Sequence, residues 1–140
     1  MMRIDVSFPG GLRVDASFDG FTVRTDQPEP WGAGSAPTPF DLFQVSLATC
    51  AGIYVLSFCR ERNIPTEGLR ITQRTERDGE TGLLSLAAIE IGLPAGFPDR
   101  YRNAVIRAAE LCTVKRTVEN PPRFTVSVAS GSGEGRGEGA

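Results

Sequence analysis

The sequence predicts an α+β fold in which short antiparallel strands pack on one long apolar helix. Three observations carry that prediction. The first 25 residues alternate apolar and polar positions between glycine turns. From Leu42 to Cys59 no residue is charged, a run with helical length and no strand punctuation. Two further strand-like runs then precede a second, amphipathic helix. The 140 residues suit one domain, expected over 1–129, since single domains run to about 100–150 residues before splitting.

Ile4, Val6 and Phe8 alternate with polar neighbours, and Pro9-Gly10-Gly11 turns the chain into Leu12–Phe18. Asp19-Gly20 is a hairpin signal and Phe21–Thr25 follows as a third strand. Residues 26–39 hold Pro28, Pro30, Pro37 and Pro39 with Gly32, Gly34 and Trp31, which supports neither helix nor ladder. The segment reads as a surface connection or, being long for a plain link, as a loop covering a substrate. Thr38 then serves as N-cap with Pro39 at the first helical position and Asp41 in the first turn. The helix that follows is apolar on nearly every side, so it is expected to be central and buried; Gln44, Ser46, Thr49, Gly52 and Ser57 make it a poor membrane span. Charge at Arg60-Glu61-Arg62 and then Pro65 end it.

Leu69–Arg77 and Leu83–Leu93 form the next two strands, joined through Asp78-Gly79-Glu80-Thr81-Gly82. Pro98 opens a helix with Tyr101, Val105, Ile106, Ala109 and Leu111 at amphipathic spacing. Cys112-Thr113 ends it or begins a further short turn, and Arg123–Ala129 is expected as a last strand. The tail at 130–140 has glycine at every second position from Gly131 to Gly139 and cannot build a core, so it is expected to be disordered.

Composition narrows the chemistry. With no histidine, the chain alone cannot supply a Ser-His-Asp triad, a Cys-His dyad or a His-ligated metal site. Fifteen Lys and Arg against 17 Asp and Glu give a formal charge of −2, which makes no electrostatic case for nucleic acid or an anionic membrane. The expected partners are a small molecule and a second copy of the chain. No apolar signal segment follows Met1, so a cytoplasmic, reducing location is the expectation. Three cysteines, at 50, 59 and 112, do not make a secreted disulfide framework. Their spacings contain no C-x-x-C knuckle, so a metal site is not expected, nor any cofactor.

The thiols are therefore the candidate chemistry. Cys50 and Cys59 are nine positions apart on one helix, about 900° of rotation and about 13.5 Å of rise, so they point to opposite sides. They cannot pair within an unbroken helix, and any intrachain pair must include Cys112. Cys112 precedes Thr113-Val114-Lys115-Arg116, which would place it at a helix terminus beside two cations, features that lower a thiol pKa.

Thr38–Cys50 and Leu111–Thr117 are the segments that carry a family likeness. With the order of elements over 1–129, they resemble the osmotically induced protein C and organic hydroperoxide resistance superfamily, in particular its OsmC-like redox protein branch. The resemblance implies an OsmC-like intertwined homodimer, its antiparallel sheets wrapped around long central helices and its active sites at the interface. It also implies thiol peroxidase chemistry in stress response: Cys50 attacks a hydrophobic hydroperoxide and becomes a sulfenic acid, Cys112 resolves it as a disulfide, and an external dithiol restores both. Cys59 is then structural. The family's thiolate-stabilising arginine corresponds to Arg13, with Arg24 as the alternative. The family's glutamate after the loop proline is replaced by Phe40. Phe40, Phe43 and Tyr54 are the candidate substrate contacts, and together with Trp31 they could instead form an apolar pocket of a binding module without peroxidase activity. A protein handling sulfur substrates through the same thiols is a further alternative. Independently of the resemblance, an apolar helix of about 25 residues needs cover on every side, which a homodimer supplies.

Overall fold

A computed structural model of the protein describes residues 1–130. The glycine-rich tail lies outside the described residues from position 131. The architecture is α+β, with two small antiparallel sheets and three helices. β1 (Asp5–Gly10), β2 (Arg13–Phe18) and β3 (Phe21–Thr25) form a three-stranded sheet. Phe18 pairs with Phe21 across Asp19 and Gly20, both left-handed (φ 48° and 84°), the two-residue turn that matches strand twist.

The proline-rich link after β3 is a built loop. Asp26 is almost wholly buried and accepts hydrogen bonds from the Gln27 amide (2.7 Å), the Ser35 amide (3.0 Å) and the Ser35 hydroxyl (2.6 Å). Its own amide donates to the Pro37 carbonyl, closing the loop base. Gly32 is required here: a Cβ would overlap the Gln27 carbonyl oxygen and lie 2.6 Å from the Asp26 carboxylate. These bonds, the Ser35 hydroxyl foremost, lower the Asp26 pKa to about 2. A depressed folded-state value adds stability that is complete above the ordinary carboxylate value of 3.8 and disappears as pH falls through about 2. Asp26→Asn is therefore expected to lower the urea midpoint at neutral pH and to flatten its acid decline, which unfolding curves collected from acid to neutral pH would measure.

α1 (Pro39–Glu61) starts at a capping box: the Thr38 hydroxyl accepts from the Asp41 amide (3.0 Å), and the Asp41 carboxylate accepts from the Thr38 amide (2.9 Å). It ends where Asn63 turns left-handed (φ 55°) and the Ile64 amide donates to Cys59 O. β4 (Arg70–Arg77) and β5 (Leu84–Gly92) form the second sheet; a 3₁₀ turn (Asp99–Tyr101) leads into α2 (Arg102–Glu110), and α3 (Thr113–Glu119) follows after two residues. The core gathers Val55, Phe58 and Cys59 of α1, Val105 of α2, and Ile64 and Phe97 from the connecting segments, flanked by Ile71 and Ile91 of the second sheet.

Two expectations are corrected. α1 is not covered all round within one chain, because Val45, Thr49, Ile53 and Ser57, four residues apart in succession, form an exposed stripe. By length and composition alone the helix would also pass for a membrane span (mean hydropathy 1.7), a test that core helices of soluble proteins pass as well, so the expectation of a poor span is not overturned. The strand expected at Arg123–Ala129 is absent: residues 121–130 carry no regular structure, and Phe124, Val126 and Val128 are exposed. The alternation is genuine, but a strand exists only through its ladder, and within this chain the segment pairs with neither sheet.

Candidate thiol site

α1 packs against α2, α3 and β4, and that packing sets where the three thiols lie. Cys59 is fully buried in the core, where desolvation raises its pKa against the opposing charge of Arg62. Cys50 is half-buried on the other side of the unbroken helix. Cys112 occupies the bend between α2 and α3, 1% exposed, with the Cys50 thiol close enough to raise its pKa. All three thiols are free.

Cys112 is the N-cap of α3, and its sulfur accepts a hydrogen bond from the Lys115 amide (3.2 Å). The helix terminus is thus where the sequence placed it, but the expected depression of the thiol pKa is overturned. Burial raises the value most, the Lys115 amide opposes it, and the Cys50 thiol pushes it further up. Lys115 acts on the thiol through its backbone amide, while its ammonium is paired with Glu119 at 3.0 Å.

An apolar cavity of about 590 Å³ opens beside Cys112, lined by Phe40, Phe43 and Leu47 of α1, Ala87 and Ile89 of β5, and Lys115. Phe40 and Phe43 stack with centroids 5.9 Å apart, and the Arg77 guanidinium lies 4.4 Å from the other ring's centre, that of Phe40. Gln44 anchors this end of α1 by donating to Phe40 O (3.3 Å) while its side-chain oxygen accepts from the Thr75 hydroxyl (2.7 Å). Asp41, the carboxylate next to Phe40, is engaged in the capping box.

The fold separates the remaining candidates. Tyr54 does not line this cavity; its hydroxyl is hydrogen-bonded to Thr113 (2.8 Å), pinning the first turn of α3 beside Cys112. Arg13 donates to Gly10 O (3.4 Å) at the mouth of the β1–β2 turn, and Arg24 lies opposite Asp15. Trp31 is exposed on the proline-rich loop. Nothing in the sequence pattern marks Arg77, Gln44 or Thr113, whose roles depend on contacts between distant segments. Among the described residues no cluster of three or more metal-ligating side chains occurs.

A dithiol centre between a long central helix and a helical bend, on an α+β frame of two sheets, is the class of site this geometry defines. The family model for OsmC-like protein matches residues 32–127, and the chain belongs to that family. Similar solved structures include an osmotic stress induced and detoxification response protein from Psychrobacter arcticus (24% identity, TM-score 0.72, covering 84% of this chain and 88% of that one). An OsmC-like protein from Mycoplasma pneumoniae has 12% identity and a TM-score of 0.70 over 86% and 89% of the two chains. An organic hydroperoxide resistance protein OsmC from Legionella pneumophila has 20% identity and a TM-score of 0.59 over 84% and 88%. At these identities the likeness is one of fold. No curated protein matches the sequence.

Proposed function

We propose that the protein is a thiol peroxidase for small hydrophobic hydroperoxides. The observation that carries this reading is that the Cys50 thiol lies near enough to perturb Cys112, which itself lines an apolar cavity. The Cys50 thiolate attacks the terminal peroxide oxygen, the O–O bond breaks, and the organic fragment leaves as an alcohol after taking up a proton. The Cys112 sulfur then displaces hydroxide from the Cys50 sulfenic acid, giving a disulfide and, after protonation, water. An external dithiol returns both thiols. Phe40 and Phe43 contact the organic group, and no metal or cofactor takes part.

The working unit in this reading is a homodimer in the cytoplasm. A second copy covers the Val45–Ser57 stripe and offers a sheet edge to the Phe124–Val128 segment. It also supplies the route by which Arg13, confined to its hairpin within one chain, reaches the Cys50 thiolate. Sedimentation as a strict monomer at micromolar concentration would contradict this assembly.

The test uses the reduced protein and one equivalent of an alkyl hydroperoxide. Loss of two of the three thiols, with a mapped Cys50–Cys112 disulfide, is the expected result. Three titratable thiols afterwards, or peroxide consumption by Cys50→Ser as fast as by wild type, would sink the proposal.

A further inference from the structure

Phe40 lines two cavities at once. One is the apolar space beside Cys112; the other, of about 720 Å³, lies between the proline-rich loop and the start of α1, with Gln27, Thr38, Asp41 and Arg77 around it. The half-buried ring between them has two side-chain partners and a fixed backbone. Arg77 lies over one face, Phe43 stacks alongside, and Gln44 holds the Phe40 carbonyl one turn into a capped helix. Pro39 before it and the capping box around it fix the backbone. A ring with its backbone fixed and a cation over one face has fewer rotamers open to it.

We propose that Phe40, pinned by Arg77, is the specificity-determining residue of this site: it walls the thiol-side cavity off from the loop-side cavity and thereby limits the length of the organic group that can be accommodated. The inference rests on the peroxidase reading for the chemistry of the ligand, an apolar chain ending at the thiols. The wall itself rests only on the geometry. An alkyl chain gains affinity with each methylene it buries until the thiol-side cavity is full, after which further methylenes remain in water. Removing the ring joins the two spaces and moves that limit to longer chains.

Linear alkanols of increasing length, the alcohols that hydroperoxide reduction would release, are the probes, titrated calorimetrically into reduced wild-type protein, Phe40→Ala and Arg77→Met. In wild type, affinity is expected to rise with chain length and then level off. Phe40→Ala is expected to move the levelling point to longer chains and to strengthen binding of the longest alkanol about tenfold relative to a short one. Arg77→Met, which keeps the ring and removes its clamp, should shift the same ratio in the same direction by less, and it keeps the test valid if Phe40→Ala does not fold. An unchanged levelling point in the folded variants, or no alkanol binding by wild type, overturns the proposal. Length-dependent binding in a protein whose thiols ignore hydroperoxide would leave the wall standing and remove the peroxidase reading, so the two failures are distinct.

Discussion

Replacing Cys112 with serine is expected to stop the reaction at the Cys50 sulfenic acid. One equivalent of hydroperoxide is consumed, turnover with a dithiol reductant collapses, and the sulfenic acid becomes trappable by a nucleophilic carbon reagent. The same arrangement sets a pH dependence for the wild type. Burial holds the Cys112 thiol above its ordinary value of 9.0, so little thiolate is present at neutral pH. Disulfide closure, followed by stopped-flow after a rapid sulfenate-forming step, should accelerate steadily into the alkaline range. A closure rate independent of pH, or full turnover by Cys112→Ser, would show that Cys112 is not the resolving thiol. The linkage has the opposite sign for stability: a raised thiol pKa means that the unfolded chain ionises first, so Cys112 destabilises the fold as pH climbs past 9.0.

Phe58→Ala is expected to destabilise the protein by about 3–5 kcal/mol, the range for truncating a buried aromatic. Phe58 is 7% exposed, meets the Tyr101 ring edge-on at 5.7 Å, and has the Arg62 guanidinium 3.7 Å above its own ring. The truncation leaves a void between α1 and α2 and removes both contacts. Arg74→Ala, at an exposed pair with Glu90, should by contrast stay within about 0.5 kcal/mol. Urea unfolding of the two variants under identical conditions makes the comparison, and near-equal midpoints would contradict the core assignment.

Features settled by neighbours in sequence were legible in advance. Thr38-Pro39 marks the start of α1 because a cap and an N1 proline act within one turn. Asp19-Gly20 marks the hairpin because both residues tolerate left-handed backbone. The opposed directions of Cys50 and Cys59 follow from helical rotation alone. Features settled by tertiary packing were not. Lys115 and Arg116 look like thiolate stabilisers when only the sequence is read, yet burial raises the Cys112 thiol pKa and backbone amides of α3 oppose the rise. Tyr54 is one turn from Cys50, but its hydroxyl finds Thr113, 59 residues away. Phe124–Val128 has the two-residue period of a strand, a necessary condition that says nothing about whether an edge is within reach. The division of space by Phe40 was equally invisible, since it needs Arg77 from the end of β4.

The Cys112 sulfur holds the first turn of α3 through the Lys115 amide and is also the atom that would bond to Cys50. One atom in two equilibria makes them thermodynamically reciprocal: if closing the disulfide weakens the cap, fraying α3 must favour the disulfide by the same free energy. If the proposed disulfide forms, the Lys115 amide proton is expected to report it, through its chemical shift or exchange rate, without any label at the thiols.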